Sequence, residues 1–216
     1  MREIKEFAVL LMVVVIAAVS CPAEVVGKAA ASLDGQKVRE QECALGNLVA
    51  DGVRAAVGGK AAFVQASQLR SESIPAGDVD RDALTDVLLY PDEPVVLVEL
   101  TGTQILAALE RSVSMVPKPS TSFLQVSGMT VTFRSDSSPG QRVVEVKIGG
   151  AALSPNESYD VAMPASLAKG ALGYFRIFNR LEPTKTGSGI GDAVADYVRS
   201  LRTILPQSGR MRDLSR

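Results

Sequence analysis

Leu45, Leu48, Val49, Val53 and Ala56 recur three and four residues apart, which predicts a helix from Glu42 to Val57 with one apolar face. Gly58-Gly59 supplies a left-handed stop. Two interior residues run against helix propensity: a glycine such as Gly46 costs about 1 kcal/mol against alanine, and Asn47 is a poor helix former. The simplest reason for Gly46 is a close backbone approach by a neighbouring element. Asn47 and Asp51 are expected to be structural, holding the helix against a nearby loop.

The remaining pattern mixes both periods. Ala61-Ala62-Phe63-Val64 reads as a short buried strand, followed by a polar, loop-like stretch from Gln65 to Arg70. Asp80 caps a predicted helix over 81–89, and Val95 to Leu100 is apolar enough to be a central strand. Thr101-Gly102-Thr103-Gln104 has the capping-box spacing and opens a helix to about Ser112. Met129, Val131 and Phe133 alternate with polar residues, the period of a half-exposed strand, and Arg142 to Ile148 is its hairpin partner. A strand over 159–163 and an amphipathic helix over 192–204 complete the list. Residues 24–41 carry few signals. Strands and helices are mixed without regular alternation or repeats, which predicts one α+β domain over 24–216.

Composition narrows the chemistry. With 23 basic and 24 acidic residues the net charge is -1, so nothing argues for nucleic acid as a partner. The chain has no histidine, so no His-containing triad and no histidine metal ligand can be built from it. The arginines of the tail, Arg199 to Arg216, are expected to be solvated. At the other end, Arg2 and Lys5 precede an uncharged run from Phe7 to Ser20. That run is short for a spanning helix, which needs about 20 residues. Residues 1–23 therefore read as a signal peptide, and the product as exported from a bacterium. Ala18-Val19-Ser20-Cys21 is a loose lipobox, so lipid anchoring at Cys21 and simple cleavage near Ala23 both stay open. Cys43 reads as a small buried hydrophobe; a disulfide to Cys21 is the remaining option.

The order of segments resembles a known family. Glu-x-x-Leu-Gly-Asn-Leu-x-x-Asp (Glu42 to Asp51) is followed by the strand-loop ending in Arg70 and then by Val96 to Gly102. Phe123-Leu124-Gln125-Val126-Ser127-Gly128, the hairpin with Arg142-Val143-Val144, and Gly209-Arg210 continue it. Together these look like the C-terminal, substrate-binding domain of the 5'-nucleotidase/UDP-sugar hydrolase family, over roughly residues 36 to 212. In that family an N-terminal metallophosphoesterase domain holds two metal ions and hydrolyses. The C-terminal domain sandwiches the base between two aromatic rings and holds the ribose and phosphate end with arginines. The resemblance puts Phe123 and Tyr174 at the ring positions, and Arg70 and Arg39 at arginine positions. The match departs from the pattern in three places. The loop Asn-Gly-Gly-Gly-Ile-Arg reads Gln65-Ala66-Ser67-Gln68-Leu69-Arg70 here, Gln41 replaces a second arginine, and Leu172 stands for the aspartate of Gly-Gly-Asp-Gly-Tyr/Phe.

The N-terminal segment implies an exported domain, periplasmic or membrane-anchored, and the resemblance implies a substrate-binding domain without the metal domain. It would bind a nucleoside or nucleotide weakly, or complement a separate metallophosphoesterase subunit in nucleotide breakdown. No cofactor, no metal site and no catalytic residue are expected in it. The aromatic and arginine positions favour binding. The lost glycines, Gln41 and Leu172 favour a structural or interaction scaffold on the same fold, with no small ligand. A hydrolase acting alone is the third reading, and it lacks the ligand set that two-metal catalysis needs.

Overall fold

A computed structural model of the protein describes residues 24–216. The signal segment and Cys21 lie outside the described residues. The helices are α1 (Ala44–Val57), α2 (Arg81–Asp86), α3 (Gly102–Val113), α4 (Ala165–Ala168) and α5 (Ile190–Leu201). The first strands are β1 (Val25–Ala29), β2 (Ala61–Gln65), β3 (Gly77–Asp80), β4 (Pro94–Thr101), β5 (Leu124–Ser127) and β6 (Met129–Phe133). They are followed by β7 (Val143–Ile148), β8 (Ala151–Ala152), β9 (Ser158–Pro164), β10 (Lys185–Gly189), β11 (Thr203–Ile204) and β12 (Met211–Asp213).

The centre is a five-stranded mixed sheet in the order β10-β4-β9-β2-β5. Every residue of β2 is buried, and its side chains alternate between two apolar clusters. Ala62 and Val64 point into the cluster built by α1, α5 and the small sheet β11-β1-β3. Ala61 and Phe63 point into the cluster shared with α3 and the sheet β12-β6-β7-β8. A strand covered on both faces loses its polar alternation, which is why 61–65 reads as a plain apolar run. The fold is thus α+β in three layers, with the central sheet in the middle.

The capping box at Thr101 forms as predicted: its hydroxyl accepts from Gln104 N, and the Gln104 side chain accepts from Thr101 N. Gly46 is explained differently from the expectation. The approach comes from the Gln125 side chain, which a Cβ at position 46 would meet at 2.5 Å. Gly52 answers the backbone question instead, since a Cβ there would lie 2.9 Å from Val194 Cα, where α1 crosses α5.

Three boundaries differ. The helix expected over 81–89 ends at Asp86, because Val87 O accepts from Arg70 N and Leu89 N donates to Gln68 O. The helix expected to reach Ile204 stops at Leu201; Arg202 takes a left-handed turn (φ 59°) and Thr203–Ile204 pair with β1. Residues 25–29, which carry no periodic signal, form β1 because β3 and β11 flank them.

Candidate functional site

The segments that bear the expected ligand positions meet at one end of the central sheet. Antiparallel pairing sets Gln65 of β2 opposite Leu124 of β5. The chain then runs on so that Ala66 N donates to Phe123 O and Ser67 N to Thr121 O. Ser120 N donates to Arg39 O. From the other side, Gln65 Nε2 donates to Ser166 Oγ (3.1 Å), and the Tyr174 hydroxyl donates to Ser122 O (2.7 Å). Residues 39, 65–70, 120–124 and 164–174 are therefore one bonded neighbourhood.

Within it the predicted residues take different places. Phe123 and Tyr174 are both fully buried, and their rings belong to opposite clusters. Tyr174 stacks on Phe178, with ring centroids 5.4 Å apart and planes at 11°. Burial pushes the Tyr174 phenol far above its ordinary range, so it stays a neutral donor. The two rings do not face each other across a gap. Arg39 is half-buried, and its Nε is enclosed without a hydrogen-bond partner among the described residues. Arg70 is exposed and makes no side-chain hydrogen bond or ion pair among the described residues.

The stretch from Gln65 to Leu69 is not an open polar loop. Ala66–Gln68 form a turn of 3-10 helix, and Gln65, Ala66, Gln68 and Leu69 are all buried. Glu93 ties this turn to the start of α4: Gln68 Nε2 donates to its Oε2 (2.5 Å) and Ser166 N to its Oε1 (2.6 Å). Side chains thus occupy the space that glycines leave open in the related motif. Leu172, at the aspartate position, sits at φ 57°, and its carbonyl accepts from Arg111. Among the described residues no group of three or more His, Cys, Asp and Glu side chains could hold a metal ion.

A second network holds the tail. Glu42 Oε2 accepts from the backbone N–H groups of Gly209, Arg210 and Met211, and Glu42 Oε1 from Asn47 Nδ2. Asp51 pairs with Arg210 through two contacts of 2.8 and 2.7 Å and accepts from Ser127 Oγ. Asn47 and Asp51 are structural, as expected. The expectation of a solvated tail fails at Arg210, whose side chain is only 12% exposed. Arg142, read from the sequence only as the head of a hairpin strand, is buried just ahead of β7 and donates to Val113 O and Val116 O. A basic residue heading an otherwise alternating strand was the available signal. Cys43 caps α1, its sulfur accepting from Gly46 N, and burial pushes its thiol up to about 11.

Comparison with known proteins places this architecture. The family model described as "5'-nucleotidase, C-terminal domain" matches residues 25–180. The trifunctional nucleotide phosphoesterase protein YfkN of Bacillus subtilis (strain 168) is 35% identical over 162 residues, covering 70% of this chain and 11% of that protein. A 5'-nucleotidase-related protein of Glossina morsitans morsitans is 31% identical over 210 residues, covering 85% of this chain and 37% of its own length. Among solved structures, a 5'-nucleotidase precursor from Thermus thermophilus superposes with a TM-score of 0.80 at 30% identity, over 89% of this chain and 40% of that one. The chain spans less than half the length of each of these relatives. The chain belongs to the 5'-nucleotidase C-terminal domain family.

Proposed function

We propose that this domain is the substrate-side half of a nucleotide-breakdown system. It holds a nucleoside or nucleotide weakly, and two-metal hydrolysis is performed by a metallophosphoesterase domain or subunit. The observation that carries this reading is the convergence of Arg39, Gln65 to Arg70, Ser120 to Phe123 and Ser166 to Tyr174 at one sheet end, joined by direct hydrogen bonds. The segment 1–23 supports export to a periplasm or membrane surface, with Cys21 as the lipidation site if the anchor is used.

A second reading has its own support. With Phe123 and Tyr174 both enclosed and Gln68 and Leu69 filling the loop, the same fold could serve as an interaction scaffold with no small ligand. Calorimetric titration with adenosine, AMP and UDP-glucose separates the two. Heat corresponding to a Kd at or below about 1 mM, roughly -4 kcal/mol, supports the binding domain. No heat with any of the three up to millimolar concentration leaves the scaffold. Phosphate release with added divalent metal is expected only when a metallophosphoesterase domain is supplied as well.

A further inference from the structure

The turn after Tyr174 carries a feature that the buried rings do not. Phe175 is 60% exposed, although its neighbour Tyr174 is completely enclosed. It borders a cleft of about 580 Å³ whose polar lining comes from Lys169, Arg176, Asn179 and Arg180. Among the described residues no carboxylate lines this cleft. None of Lys169, Arg176 and Arg180 forms an ion pair or a side-chain hydrogen bond among the described residues. Arg176 already lies over one face of the Phe175 ring, its Cζ 5.7 Å from the centroid.

The backbone that carries the ring is held in place from beneath. Gly170, at φ 86°, lets the chain pass so closely that a Cβ there would meet Phe175 Cα at 2.3 Å. Tyr174 is anchored by Ser122 and stacked on Phe178, and Ile177 O accepts from Gln104 Nε2. An exposed aromatic ring on a fixed base, with three uncompensated cations around it, suits a ligand that is flat at one end and anionic at the other. The ring face offers stacking and the cations offer charge-assisted hydrogen bonds.

We infer that the Phe175 cleft is a nucleoside-phosphate site, with the base stacked on Phe175 and the phosphate held by Arg176, Arg180 and Lys169. This rests on the nucleotide reading above but moves the contact away from Phe123 and the Tyr174 ring. The closed rings then belong to the support of the site. Its base selectivity is low, because stacking accepts any base and the lining offers only the Asn179 amide for an edge contact.

The test is titration of the ¹⁵N-labelled chain with AMP, UDP and inorganic phosphate, following amide resonances and affinity together. Nucleotides are expected to shift resonances of residues 168–181. Phe175→Ala should weaken AMP about tenfold, the scale of one base–aromatic stack, while leaving phosphate unchanged. Arg176→Gln/Arg180→Gln should weaken both AMP and phosphate, and raising salt should do the same in the parent chain. All three positions border open solvent, so the thermal midpoint should hold in each variant. Nucleotide binding that shifts other residues and survives both variants would overturn the cleft and keep the nucleotide reading. An absence of nucleotide binding in the parent chain overturns both. Phosphate binding without any preference for AMP overturns the stacking role of Phe175.

Discussion

Replacing Gly46 by alanine isolates the contact around which α1 is placed. By propensity alone the change should stabilise the helix by about 1 kcal/mol. The new methyl, however, would stand 2.5 Å from Gln125 Cγ, Cδ and Oε1. Gln125 cannot turn aside without cost. Its Nε2 donates to Val38 O (3.0 Å) and Gln41 O (2.9 Å), and its Oε1 accepts from Cys43 N (3.2 Å). Displacing it forfeits these bonds at about 1 kcal/mol each and leaves buried backbone groups unpaired. The net expectation for Gly46→Ala is a loss of roughly 2–3 kcal/mol, or roughly 5–10 °C in Tm for a domain of this size. The informative comparison is the same substitution in a Gln125→Ala background. There the space is free, so the added methyl should be neutral or stabilising by up to about 1 kcal/mol. Urea unfolding followed by circular dichroism gives all four corners of the cycle. An equal cost in both backgrounds, or a stabilised single variant, would refute the account of Gly46.

Three further outcomes follow from Arg210 and Cys43. Arg210→Met should cost roughly 3–5 kcal/mol in urea unfolding, because it leaves the Asp51 carboxylate enclosed with only Ser127 as partner; adding Asp51→Asn should recover part of the loss, and a fully additive double variant would contradict the pairing. Cys43, with its thiol held up to about 11 by burial, should resist a thiol reagent at pH 8 in the folded protein and react at once in urea. The sign of the linkage also gives a pH window. The unfolded thiol ionises near 9.0 while the folded one keeps its proton to about 11, so Cys43 should lower stability progressively across that interval. Stability that rises there would be the wrong sign.

How much was legible depended on whether a residue's reason lay nearby in the chain. The capping box at Thr101 was readable because donor and acceptor are three residues apart. The α1 face and the β6–β7 hairpin were readable for the same local cause. Residues 25–29 were not, since their partners lie at 77–80 and 203–204 and nothing in VVGKA announces them. Gly46 and Asn47 flagged that something was close without saying what, and the answers were Gln125 and the segment around Gln207. At the site, the resemblance supplied positions but not orientations. Tyr174 and Phe175 are adjacent aromatics, and only the packing of Tyr174 on Phe178 shows which of the two stays out in solvent. Gln65 to Leu69 looked polar because glutamine and serine are polar; burial came from Glu93 and Ser166, far along the chain.

The pairing of β1 with β11 and of β6 with β12 bears on how the chain leaves the ribosome. Both pairs are parallel, and each joins a strand to one made much later. Until Ile204 emerges, one edge of β1 has no partner, and until Met211 emerges the backbone groups of β6 that will face β12 are open. Glu42, near the start of α1, waits equally long for the three amides it will accept. A domain knit in this way cannot complete itself from its N-terminal half outward, as successive units do during synthesis. A chain cut short after α5 therefore leaves β1 and β6 each with an open edge, so the C-terminal segment counts toward the fold as the central strands do.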